Sequence, residues 1–241
     1  MEDGHYRDIL VEHARALADV ARAVALDATV PSCPEWDVAK LVRHTGTAHR
    51  WSAEVVRRRQ PLSPKSIDLE VPDDASHLPD WLEVSATRLA ERLAESDPAA
   101  ECWTWTDDHR VGFWSRRMAF ETVVHAWDGA AVLGTPAPFD TDLAVDGIDE
   151  HLGNLPFVVG ESGAGSGETL HVHCTDRDGE WLLRRGPSGL LIRREHRKAD
   201  VALRGPAADV FLVVLGRVSP TAVEVHGESS ALDRWREVLH F

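Results

Sequence analysis

In the segment RRMAFETVVHAWDGA a glutamate and a histidine stand four positions apart, Glu121 and His125. On an α-helix that interval is about one turn, so both side chains project from one face. The same face carries Trp114, Met118, Asp128 and Val132. A carboxylate and an imidazole set into an apolar stripe are costly unless something compensates them. A second histidine, His44, falls on the helical line through Leu41, Ala48 and Val55, which is also expected to face inward. Two imidazoles and one carboxylate are an N2O donor set for one divalent metal ion, and three protein ligands leave a coordination position open for chemistry. The same spacing equally describes a buried His–Glu pair that ties two helices together. An ExxxH interval alone does not separate these readings.

Such residues need helices to hold them. Apolar periodicity and chain breakers predict helices over about 4–27, 38–59, 76–96 and 112–133. Asp37 is a good N-cap for the second, Pro61 and Pro64 close it, and Gly134 with Pro136 ends the fourth. Four helices with connections of this size make a bundle. The segment CWTWTDDHRVGFW carries Trp103, Trp105 and Trp114, an aromatic run that either walls a pocket or plugs the end of a core.

From Phe139 the pattern changes. A short helix in TDLAVDGIDEHLGNL leads to a Gly-rich linker, VGESGAGSGE. Alternating segments at 170–174, 181–185 and 190–194 read as an antiparallel meander with one buried face. An apolar helix at about 206–216, strand-like AVEVHG and a last helix at 228–239 follow. The expected fold class is therefore α+β, with an all-helical domain over 1–138 and a small α/β domain over 139–241.

The formal net charge of −14 argues against nonspecific binding to nucleic acid or anionic membrane. The one basic run, Arg57-Arg58-Arg59, sits at a helix end, where it complements the helix dipole. No stretch has the ~18 consecutive apolar residues of a membrane span, and the first residues, MEDGHYRDILVEHARAL, lack a secretory pattern. Cys33, Cys102 and Cys174 are odd in number and widely separated, which fits a reducing compartment. The expectation is a cytoplasmic protein, and the sequence is silent on oligomeric state.

VPSCPEWDVAKLVRHTGTAHRW and RRMAFETVVHAWDGA strongly resemble the paired helix signatures of the mycothiol-dependent maleylpyruvate isomerase family. KADVALRGPAADVFLVVLGR and VEVHGESSALDRW resemble that family's second domain. The resemblance implies a DinB-like four-helix bundle that binds the metal, followed by a small α/β domain of sterol-carrier type. It implies His44, Glu121 and His125 as the metal ligands, and mycothiol as the thiol used with a small electrophilic substrate. A metal-activated thiolate would add to a conjugated cis double bond, allow rotation, and leave. Zinc is the first expectation, although the donor set also suits nickel, iron, cobalt or manganese. Asp128 is placed either to accept a hydrogen bond from a ligand imidazole or to stand as a polar residue near the helix end. His49 falls elsewhere on the wheel and is assigned a neighbouring or surface role.

Within this picture Trp103, Trp105 and Trp114 are expected to line the thiol pocket, which is expected between the two domains. Arg204 and Arg217 are candidate donors to a substrate carboxylate, with Arg116 and Arg117 as competitors for that role. Cys33 has no basic neighbour and reads as inert. His171 and His173 share a strand face, but with no third ligand in view they are not read as a second metal site. Gly163, Gly165 and Gly167 spell GxGxG without the strand–turn–helix context of a dinucleotide loop. Two rival functions stay open: a mycothiol S-transferase, and a noncatalytic protein that holds a metal or small ligand.

Overall fold

The computed structural model describes residues 3–134 and 136–239. The chain divides into two compact units, Met1–Ala137 and Pro138–Phe241.

The first unit is built on α1 (Asp3–Ala23), a short hairpin of β1 (Thr29–Val30) and β2 (Cys33–Asp37), α2 (Val38–Arg58), α3 (Leu78–Ala94) and α4 (Val111–Val132). The helices α1 and α2 each pack mainly on α3 and α4, so α2 and α4 are neighbours in the bundle. Asp37 caps α2 by accepting from the Lys40 amide at 2.7 Å, and Arg59 closes the helix in the left-handed region. Around the core, Leu17, Leu41 and Trp81 anchor one apolar cluster, and Leu10, Val55 and Trp114 anchor the other. The chain break expected at VPSCPEW is in fact the β1–β2 hairpin, with Val30 opposite Cys33.

The second unit begins with α5 (Thr141–Val159), capped by Asp140 and longer than the short helix expected there. Five strands follow: β3 (Thr169–Cys174), β4 (Glu180–Gly186), β5 (Gly189–Arg193), β6 (Val201–Gly205) and β7 (Glu224–Gly227), with α6 (Ala207–Val214) before β7 and α7 (Ser229–Leu239) after it. The sheet order is β5-β4-β3-β6-β7. The first three strands form the expected antiparallel meander, while β6 lies parallel to β3, so the sheet is mixed. Register places Leu170, Leu183 and Val201 in one buried row, and Val172, Trp181 and Leu203 in the next. By the period of two, His171 and His173 take the opposite face.

Gly46 shows how closely α2 and α3 approach. A Cβ at this position would lie 2.1 Å from Cζ3 of Trp81. Trp81 is itself held, its indole N–H donating to the Leu69 carbonyl at 3.3 Å and Arg50 lying over its ring. Gly46→Ala gains up to ~1 kcal/mol of helix propensity. Overpacking of this kind costs about 1–3 kcal/mol, and the ring has little room to yield. The expected net result is destabilisation by up to about 2 kcal/mol, read from the urea midpoint at unchanged m-value.

Candidate metal centre

Glu121 and His125 lie one turn apart on α4, and α2 brings His44 against them. The Nε2 of His44 is 2.9 Å from Oε1 of Glu121, and the Nε2 of His125 is 3.3 Å from the same oxygen. The ligating atoms of the three residues all fall within 4.8 Å of one another. Donors about 2.1 Å from a tetrahedral ion stand roughly 3.4 Å apart. The set therefore fits a divalent ion with only small adjustments.

The flanking groups hold this set in ligating form. The Nδ1–H of His125 donates to Oδ2 of Asp128 at 3.0 Å, which turns Nε2 toward Glu121 and His44. Asp128 is fully buried, and its other oxygen accepts from the Ser32 hydroxyl at 2.5 Å. Arg117 pairs with Oε2 of Glu121. Trp36, from β2, packs its ring 4.7 Å from that of His44 and 5.8 Å from that of His125.

These contacts set the protonation of the metal-free centre. Burial pushes the Glu121 carboxyl up, but the Arg117 charge and the hydrogen bonds of His125 and His44 hold it well below the usual range. Burial pushes His125 down, yet the hydrogen bonds and charges of Asp128 and Glu121 outweigh it and raise the imidazolium to about 9. A metal at this centre competes with that proton.

Two histidines differ from their expected placement. The stripe that α2 buries runs through Leu41, Thr45, His49 and Ser52. His44 stands at its edge with a side chain 43% exposed, not on the inward line, although it still meets Glu121. His49 is fully buried, not at the surface. The Thr122 hydroxyl donates to the Met118 carbonyl at 2.6 Å, so it accepts from the His49 Nε2–H at 2.8 Å. His49 Nδ1 has no hydrogen-bonding partner among the described residues.

Trp103, Trp105 and Trp114 pack with Trp51 and Phe113 against the apolar cluster around Leu10 and Val55. The Trp114 N–H donates to the Trp103 carbonyl at 2.9 Å. This is the core-plug arrangement, and the aromatic ring at the centre is Trp36. In the second unit, Arg204 on β6 pairs with Glu224 at 3.0 Å, and the Arg217 guanidinium donates to the Leu215 carbonyl at 3.0 Å. Cys33 is half-buried, Cys102 and Cys174 are buried, and burial pushes the Cys174 thiol up to about 12.

Ser32 and Trp36 escaped sequence reasoning because the hairpin that presents them did. Glu180 and His196 were also missed as neighbours of His171 and His173. The structure gathers all four, so ligand-type groups do stand beside the two histidines.

A helical bundle with a His–Glu–His centre between two neighbouring helices, followed by a mixed-sheet unit, defines the class of this two-unit chain. The family model for the mycothiol maleylpyruvate isomerase N-terminal domain matches residues 6–130, and that for the MDMPI C-terminal domain matches 142–234. The chain belongs to the mycothiol-dependent maleylpyruvate isomerase family. Its fold is that of the solved crystal structure of a mycothiol-dependent maleylpyruvate isomerase, at 15% identity and a TM-score of 0.66 over 95% of each chain. A histidine-to-alanine mutant of that enzyme gives the same score at 14% identity and the same coverage. No curated protein matches the chain by sequence. Among the described residues, no helix is long and apolar enough to cross a membrane.

Two expectations follow. Asp128→Asn removes the charge and leaves a single acceptor oxygen to serve both Ser32 and His125, so zinc affinity should fall about 10–100-fold in competition with a chromogenic chelator, with helix content unchanged. The second concerns pH. Burial, with His125 and His44 adding to it against the opposing pull of Glu121, lowers His49 to about 3. A depressed folded-state value means His49 supports the fold above its unfolded pKa of about 6.5 and loses that contribution as pH falls toward 3. In metal-free protein, His49→Gln should flatten the decline in stability across that window by up to about 1.4 kcal/mol per pH unit. Equal slopes in urea titrations of the two proteins would contradict this.

Proposed function

We propose that this chain is a mycothiol- and metal-dependent enzyme acting on a small electrophile, with cis–trans isomerisation of a maleylpyruvate-type diacid as its reaction. The observation that carries the reading is the meeting of the His44 and His125 Nε2 atoms at one carboxylate oxygen of Glu121, in a chain of this family. His44, Glu121 and His125 are the proposed ligands, and zinc is the proposed ion. Bound there, the ion supplies Lewis acidity that keeps a thiol ionised at neutral pH. Mycothiol supplies the sulfur nucleophile, which adds to the conjugated double bond and leaves after rotation about the resulting single bond.

The chain's own residues prepare for that chemistry. Arg117 occupies Oε2 of Glu121 and leaves Oε1 to the centre. Asp128 keeps the proton of His125 on Nδ1. Trp36 fixes both ring planes from one side, and the half-exposed His44 leaves a way in from solvent. Arg204 and Arg217 are the proposed guanidinium donors to the carboxylates of the substrate. The Glu224 partner of Arg204 is itself exposed.

The test supplies zinc-loaded protein with maleylpyruvate, with and without mycothiol. Turnover is expected only with the thiol. His125→Ala should lose both bound zinc and turnover while keeping its helical circular dichroism, since the bundle has apolar stripes of its own. Turnover independent of any thiol would overturn the mechanism. Accumulation of an S-conjugate in place of the trans diacid would assign S-transfer instead.

A further inference from the structure

The second unit carries its own cluster of ligand-type side chains. On β3, His171 and His173 are two residues apart and share the sheet face opposite the buried rows. The β3–β4 register sets Glu180 directly across from His173. The connection after β5 then brings in His196. Nδ1 of His173 is 2.5 Å from Oε1 of Glu180, and Nδ1 of His196 is 2.7 Å from Oε2. The three imidazole rings stand 5.4–6.3 Å apart, arranged around that one carboxylate. One potential ligand atom from each of the four residues falls within 4.8 Å of the others.

A carboxylate that merely anchors nearby histidines would account for His173 and His196. It does not account for His171. That side chain is nine-tenths buried, and among the described residues its Nε2 has no hydrogen-bond partner, the closest Glu180 oxygen being 3.9 Å away. A buried imidazole nitrogen without a partner gives up its hydrogen bond to water, and a cation between it and Glu180 removes the deficit. The space is present. The three histidines open on a cavity of about 410 Å³, floored in part by the small side chain of Ala202, the register neighbour of His171. Arg204, across from His173, is engaged by Glu224.

We propose that His171, His173, Glu180 and His196 bind one divalent transition-metal ion, a second metal position in this chain. Three imidazoles and a carboxylate form a borderline N3O set, suited to zinc, cobalt, nickel or copper rather than magnesium or calcium. Four protein donors fill a tetrahedron and leave no open position, so the ion has a holding role. It joins β3, β4 and the connection leading into β6, three segments that no disulfide links.

The test counts cobalt(II) and zinc(II) retained by full-length protein after desalting. The bundle centre is removed separately by the pair His44→Ala and His125→Ala. That variant should still retain one equivalent, with the intense visible absorption of tetrahedral cobalt(II). Adding His173→Ala and His196→Ala to it should abolish retention. Because His196 is largely exposed on a connection, His196→Ala alone serves as the variant least able to disturb the fold, and it should weaken zinc binding at least about tenfold. No retained metal in the bundle-site variant would overturn the proposal, as would retention unaffected by the loss of His173 and His196. The converse variant, lacking only His173 and His196, reports on the bundle centre independently, so failure of one reading is not mistaken for failure of the other.

Discussion

A carboxylate removed from water costs several kcal/mol unless its charge is met, and Glu121 imposes that requirement on the first unit. Its charge is met from α2 by His44 and from its own helix by His125 and Arg117. Each of these answers creates a further demand. The charged form of His125 needs an acceptor at Nδ1, which is Asp128, and Asp128 is itself a fully buried carboxylate. Its second oxygen requires a donor, and Ser32 in the hairpin before α2 supplies it. The line Glu121–His125–Asp128–Ser32 thus ties the middle of α4 to a hairpin that has only a few residues in each strand. This explains how so small a sheet holds its place, since two short strands alone are marginal in water.

The interface of α2 and α4 repeats this logic along its length. His44 meets Glu121, His49 meets Thr122, and the Ser52 hydroxyl meets the Met118 sulfur. Apolar stripes allow neighbouring helices to slide by a turn at modest cost, whereas buried polar partners must be matched one to one. These contacts therefore fix the register of the two helices, and the register in turn sets where the His44 and His125 nitrogens meet.

What could be read from the sequence follows from how local each determinant is. The Asp37 cap and the Glu121–His125 interval depend on neighbours within one turn, and both stand in the structure where periodicity puts them. The orientation of His44 does not depend on local sequence alone. A wheel centred on Leu41, Ala48 and Val55 places it inward, but the buried stripe includes the polar Thr45, His49 and Ser52, which rotates the true inward face. Apolar residues alone cannot reveal a core face that is partly polar. The β1–β2 hairpin was illegible for a related reason, as its prolines and two-residue first strand carry a turn signal and no alternation. Trp36 and Ser32 stayed hidden with it. In the second unit the alternation in LHVHC gave the shared face of His171 and His173, while Glu180 joins them only through strand register and His196 only through an irregular connection.

The two clusters share residue types and differ in donor number and exposure. In the bundle, three donors include one histidine at the edge, 43% exposed, so a ligand can approach without unfolding any element. Around Glu180, the donors come from two paired strands and a connection, and the most deeply placed histidine is the one without a partner. An open three-donor centre gives up some metal affinity in exchange for a vacant position; a four-donor set gains affinity and has none. If one chain holds metal in both, the closed set should fill first as metal is added, and the bundle centre should respond more steeply to the metal supply. The chemistry would then be limited by occupancy at the weaker, open centre, while the second unit keeps its ion across a wider range of conditions.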